Sequence, residues 1–103
     1  MALRTKQAKF AGMLARLILH TEALGYEVTM GWAYRPHYLG IGHPNSLHDL
    51  RLAQDLNLFR NGEYLEATED HRLLGEYWES IGGSWGGRFN DGNHYSLEHE
   101  GRR

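Results

Sequence analysis

The sequence predicts an α+β fold: two amphipathic helices set against a run of short antiparallel strands. Three observations carry this. Apolar residues recur at helical spacing in two separated stretches, an apolar–polar alternation follows the first of them, and an Asn61-Gly62 pair joins two strand-like runs. A chain of 103 residues accommodates one such core and not two, so residues 1–103 are expected to form a single domain.

The first helix is expected from about Leu3 to Leu24, with Phe10, Leu14, Leu17 and Ile18 on one face and Gly25 as its stop. Tyr26, Val28, Met30 and Trp32 then alternate with Glu27, Thr29 and Gly31, the pattern of a half-buried strand. Residues 35–47 carry Pro36, Pro44, Gly40, Gly42 and Asn45 and read as a loop. Leu52 to Phe59 is apolar enough for a strand, Asn61-Gly62 turns it, and Glu63-Tyr64-Leu65 returns. Thr68 is placed to cap a second helix, about Glu69 to Ile81, whose apolar stripe is Leu73, Leu74, Tyr77, Trp78 and Ile81. Trp32, Tyr77 and Trp78 are assigned to the core. Gly82-Gly83 and Gly86-Gly87 are interleaved with Trp85 and Phe89, which suggests tight loops and not a flexible linker. A last short strand is expected near His94 to Leu97.

Composition excludes several classes. A formal net charge of −2 leaves no electrostatic footprint for nucleic acid. The absence of cysteine removes disulfide frameworks, thiolate zinc fingers and cysteine nucleophiles together. Any metal must therefore be held by imidazole and carboxylate, and seven histidines make that feasible. Ala8 to Leu19 is fairly apolar, but Arg16 interrupts it and no small-residue cleavage site closes it. No stretch approaches the roughly 20 apolar residues that span a bilayer. The expectation is a monomer with no integral membrane segment, made in the cytoplasm without a secretion signal.

His48, Asp55 and His94 are the residues of most chemical interest. A catalytic zinc takes three protein ligands from imidazole and carboxylate and keeps a further position open. It then polarises a carbonyl and acidifies a water, and Asp91, three residues before His94, is a candidate base. On one continuous helix, His48 and Asp55 would lie about 10.5 Å apart, so the chain must bend between them to share an ion. On composition and spacing alone, scattered surface histidines are the simpler account.

The run Ser46-Leu47-His48-Asp49-Leu50-Arg51-Leu52-Ala53-Gln54-Asp55 resembles the S-x-H-x-x-G-x-A-x-D signature of the peptidase M15 family. That family includes D-alanyl-D-alanine carboxypeptidases and the L-alanyl-D-glutamate endopeptidases used by phages as endolysins. Asp91-Gly92-Asn93-His94-Tyr95 resembles its second signature, an acidic residue three before a histidine that precedes an aromatic, and Trp85 to Phe89 is similar to the phage-type members. The resemblance runs from about Val28 to Leu97. It implies one Zn²⁺ per chain held by His48, Asp55 and His94, with Asp91 as general base. It also implies that Arg35 meets the substrate's carboxylate or the developing oxyanion, a role suited to a bidentate guanidinium. The implied fold is the α+β domain shared with hedgehog N-terminal domains. The implied activity is zinc-dependent hydrolysis of peptidoglycan stem peptides by a phage or prophage endolysin-type endopeptidase, acting on the wall after release from the cell. A carboxypeptidase that trims the stem's end, and a zinc-stabilised binding domain without turnover, are the alternatives. Two departures stand out. The signature's glycine is Arg51, and the glutamate of many relatives is Asp91.

Other residues have two readings. Ser46 is either a hydrogen-bond partner behind the metal or a turn residue. Trp85 and Tyr95 either line the substrate groove or belong to the core. His20 and His71 are expected at the surface, Arg102-Arg103 in a frayed tail, and nothing singles out His37, His43 or His99.

Overall fold

The computed structural model describes residues 2–33 and 47–103, which form the expected α+β arrangement of two helices and a five-stranded antiparallel sheet. In chain order these are α1 (Leu3–Ala23), β1 (Glu27–Met30), β2 (Ala53–Arg60), β3 (Glu63–Leu65), α2 (Arg72–Ser80), β4 (Ser84–Trp85) and β5 (His94–Ser96). Single 3₁₀ turns cover Thr68–His71 and Gly86–Phe89. β2 is the central strand. β1 pairs along one edge of it, β5 and β3 share the other edge in succession, and β4 lies beyond β5.

The elements follow from local chemistry. α1 buries Phe10, Met13, Leu17 and Thr21, and Leu14 and Ile18 flank that stripe. Burying Thr21 is tolerable because its hydroxyl donates to the Leu17 carbonyl at 2.8 Å. The β2–β3 hairpin turns through Asn61 and Gly62 with φ of 52° and 78°, the two left-handed residues of a type I′ turn. α2 starts later than its sequence suggests, after the 3₁₀ turn, and its buried face is Leu74, Gly75 and Trp78. Leu73, expected in the stripe, is exposed instead. The helix turns Gly75 inward because it lies flat against the Trp85 ring, where an added Cβ would come within 2.0 Å. Trp78 is fully buried and its indole N–H is shared between the carbonyls of Ser96 at 2.8 Å and Ser84 at 3.1 Å. Tyr77 is half-buried and stacks on His20, which is not fully at the surface either.

Two expectations are corrected. Trp32 is 45% exposed and Met30 more so, because the core reaches only the Tyr26 and Val28 end of this edge strand. His71 is buried, not at the surface: the 3₁₀ turn that carries it faces β5, and its ring meets the Tyr95 hydroxyl. Among the described residues, no helix is long and apolar enough to cross a membrane.

Candidate metal centre

His48 is delivered by a turn that closes on itself. The Leu52 N–H donates to the Leu47 carbonyl at 2.9 Å and the Arg51 N–H to the His48 carbonyl at 3.1 Å. With Arg51 left-handed at φ 54°, these are the two bonds and the C′ residue of a Schellman motif. This is the bend that the spacing of His48 and Asp55 requires. Arg51 adopts the backbone conformation for which a glycine in its place would be the natural residue. Leu47 anchors the turn in the core, and His48 Nδ1 lies 2.7 Å from the Ala33 carbonyl. A carbonyl only accepts, so Nδ1 is the donor and Nε2 is the nitrogen left to bind elsewhere.

The other two residues are paired by the sheet. Asp55 on β2 stands directly opposite His94 on β5, and both are buried. Asp55 Oδ1 lies 3.3 Å from His48 Nε2 and 3.5 Å from His94 Nδ1. One ligand atom from each of the three residues falls within 4.8 Å of the others. Zinc bonds of about 2.0–2.1 Å in a tetrahedron require ligand–ligand edges of about 3.3 Å, which matches both contacts to Asp55. A carboxylate oxygen and an imidazole lone pair facing each other at 3.3 Å call for a cation or proton between them. The donor set and its geometry fit a zinc-type divalent ion.

Asp91 is half-buried in the turn that leads into β5. Its N–H donates to the Gly86 carbonyl at 2.8 Å, and its own carbonyl accepts from the His94 N–H at 3.1 Å. Gly86 is forced by this packing, since a Cβ there would lie 2.2 Å from the Asp91 carbonyl oxygen and 2.7 Å from His94 Cβ. The Phe89 ring lies 5.9 Å from that of His94 and is partly exposed beside the centre.

Of the remaining expected site residues, Arg35 and Ser46 lie outside the described residues, as do His37 and His43. Trp85 and Tyr95 take the core alternative. Trp85 is 4% exposed with its indole N–H on the Gly92 carbonyl, and Tyr95 is fully enclosed. Burial pushes the Tyr95 phenol far up, so it keeps its proton, and because the other ring nitrogen of His71 donates to the Leu65 backbone, Nδ1 is left to accept the phenol O–H at 2.7 Å. Desolvation holds His71 below its ordinary value, against weaker upward pulls from a Leu65 backbone hydrogen bond and the Asp70 carboxylate. His99 sits away from the centre against Lys6 Nζ at 3.3 Å. Thr68 does not cap a helix. Its hydroxyl takes the Gly92 N–H at 3.2 Å, a contact that no local motif announces.

A sequence model of a family described as D-alanyl-D-alanine carboxypeptidase matches residues 40–97, more than half of the chain, and takes in all three clustered residues and Asp91. No curated protein matches the chain.

Proposed function

The chain belongs to the peptidase M15 family, and on that premise we propose that it is a zinc-dependent peptidase that cuts inside peptidoglycan stem peptides, in the manner of a phage or prophage endolysin. The observation that carries the metal reading is the convergence of His48 Nε2, Asp55 Oδ1 and His94 Nδ1 in one buried cluster. When bound there, the ion would supply Lewis acidity toward an amide carbonyl and toward a water nucleophile. His48 is held for this by the Ala33 carbonyl, which sets its tautomer, and Asp55 contributes the charge that two neutral imidazoles lack.

Asp91 is the proposed general base. It precedes His94 by three residues in the same hydrogen-bonded turn, which keeps it near the proposed ligand. In this role it takes the proton from the attacking water and returns it to the leaving amine as the C–N bond breaks. Arg35 is proposed to pair with the substrate's carboxylate or the oxyanion. The family description favours a second reading, a carboxypeptidase that removes only the terminal D-alanine.

Metal analysis of the purified protein, with turbidity of a sacculus suspension followed with and without chelator, separates these readings. About one zinc per chain and chelator-sensitive clearing is the expected result. Zinc with release of D-alanine but no clearing would move the assignment to the carboxypeptidase, and a folded, metal-free protein would overturn both. Asp91→Ala should lower turnover by about 10²–10⁴-fold while leaving zinc bound.

A further inference from the structure

The segment from Asp91 to Tyr95 is gripped from outside at two points, and both grips come from the same short element. At one end, Thr68 Oγ1 accepts the Gly92 N–H at 3.2 Å. The two backbones touch there: a Cβ on Gly92 would lie 2.5 Å from Thr68 Cα. At the other end, His71 Nδ1 accepts the Tyr95 hydroxyl at 2.7 Å, with both rings buried. Strand alternation puts Tyr95 on the face of β5 opposite to His94, so fixing the phenol fixes the strand without touching the ligand. His94 lies between these grips, and Asp91 stands immediately before the first of them. The Trp85 indole N–H on the Gly92 carbonyl at 2.8 Å and the Leu56 N–H on the Asn93 carbonyl at 2.9 Å close the remaining freedom.

We propose that the Thr68–His71 turn is a positioning bracket for the centre, in which Thr68 acts through the Gly92 amide on the carboxylate of Asp91 and His71 acts through Tyr95 on the ring of His94. The inference rests on the roles proposed above for Asp91 and His94. Thr68 and His71 are positioning residues. Their hydrogen bonds hold neutral partners together, Tyr95 donating and His71 accepting, and the pair needs no change of charge during turnover. A misplacement of the base by about 1 Å can cost on the order of 100-fold in rate, so a bracket of this kind acts on kcat.

The test compares Thr68→Val and Tyr95→Phe, each of which removes one bracket bond at nearly constant volume, with Thr68→Ser, which restores the acceptor. Leu17→Ala serves as a control that destabilises the core at a distance. Amide exchange at Gly92 in the metal-free protein should accelerate in Thr68→Val and recover in Thr68→Ser. In the metal-loaded proteins, Thr68→Val and Tyr95→Phe should lose about tenfold or more in kcat at unchanged KM. The cobalt-substituted form of Tyr95→Phe, which loosens a ligand, should show a shifted visible spectrum, whereas Leu17→Ala keeps both kcat and spectrum. Unchanged Gly92 exchange in Thr68→Val overturns the proposal. So does wild-type kcat and spectrum in both bracket variants, or an equal loss in Leu17→Ala. Failure of the wild-type protein to bind metal would instead overturn the function proposed for the centre, and the exchange measurement would still decide whether the bracket exists.

Discussion

The two histidines of the centre reach Asp55 by different routes. His48 rides on a turn whose two bonds close within the six residues from Leu47 to Leu52, with Leu47 and Leu52 in the core and Gln7 Nε2 donating to the Leu50 carbonyl at 2.8 Å. His94 sits in a segment shaped from a distance, with contacts to Leu56, Thr68, His71, Trp85 and Gly86. One side is a self-closing local motif and the other is a tertiary assembly. A substitution on the first side should act on its own turn, whereas one on the second should spread through the core.

The hardest way to break the second side is at Gly86. A methyl group there would meet the Asp91 carbonyl oxygen and His94 Cβ, both of which belong to the segment it supports. Overpacking against backbone costs about 1–3 kcal/mol and sometimes more, and Gly86→Ala should lie at the top of that range. The expected outcome is a urea midpoint lowered by the equivalent of about 3 kcal/mol, with zinc content well below one per chain. Full zinc content at an unchanged midpoint would mean that the turn yields freely, and the contrast between the two sides would collapse.

The same contrast explains what was legible in the sequence. Both helices, the Asn61-Gly62 hairpin and the strands around Asp55 and His94 follow from short-range signals such as periodicity and turn chemistry, whereas the bend after His48 was legible only as a condition for sharing an ion. The burial of His71, the diversion of Thr68 from capping and the exposure of Trp32 and Leu73 do not. Each depends on which distant surface happens to arrive. Tyr95 comes to His71 from 24 positions away, and Trp85 turns Gly75 toward the core at the expense of Leu73. The cluster itself was legible as a set of residues, but the facing of Nε2, Oδ1 and Nδ1 needed the β2–β5 register.

A smaller perturbation of the braced side comes from acid. His71 has its folded-state pKa depressed, chiefly by burial. As pH falls through about 6.5, the unfolded chain takes up the proton first, so stability is highest above that pH and declines below it. The loss ends once pH has passed the depressed folded value. His48 and His94 are present in both proteins when wild type is compared with His71→Gln, so the difference isolates His71. Urea melts of the metal-free proteins between pH 8 and 5 should show a steeper decline for wild type. Parallel curves would mean that His71 titrates alike in the two states and is less enclosed than its contacts indicate.

The smallest expected effect lies on the local side and has the opposite sign. Arg51 occupies the left-handed C′ position of the turn that carries His48, at φ 54°, where a side chain costs about 1–2 kcal/mol. Glycine removes that cost but loses about 0.5–1 kcal/mol through the freedom it gains in the unfolded chain. The balance favours Arg51→Gly by about 0–1.5 kcal/mol, a rise in melting temperature of at most several degrees. The two bonds of the turn join backbone atoms and survive the substitution, so zinc affinity and turnover read out whether the arginine side chain contributes anything further. A stability gain without a functional shift is the signature of a self-contained motif. A loss of zinc affinity in Arg51→Gly would show instead that the arginine side chain takes part in holding His48, and that this side of the centre is braced like the other.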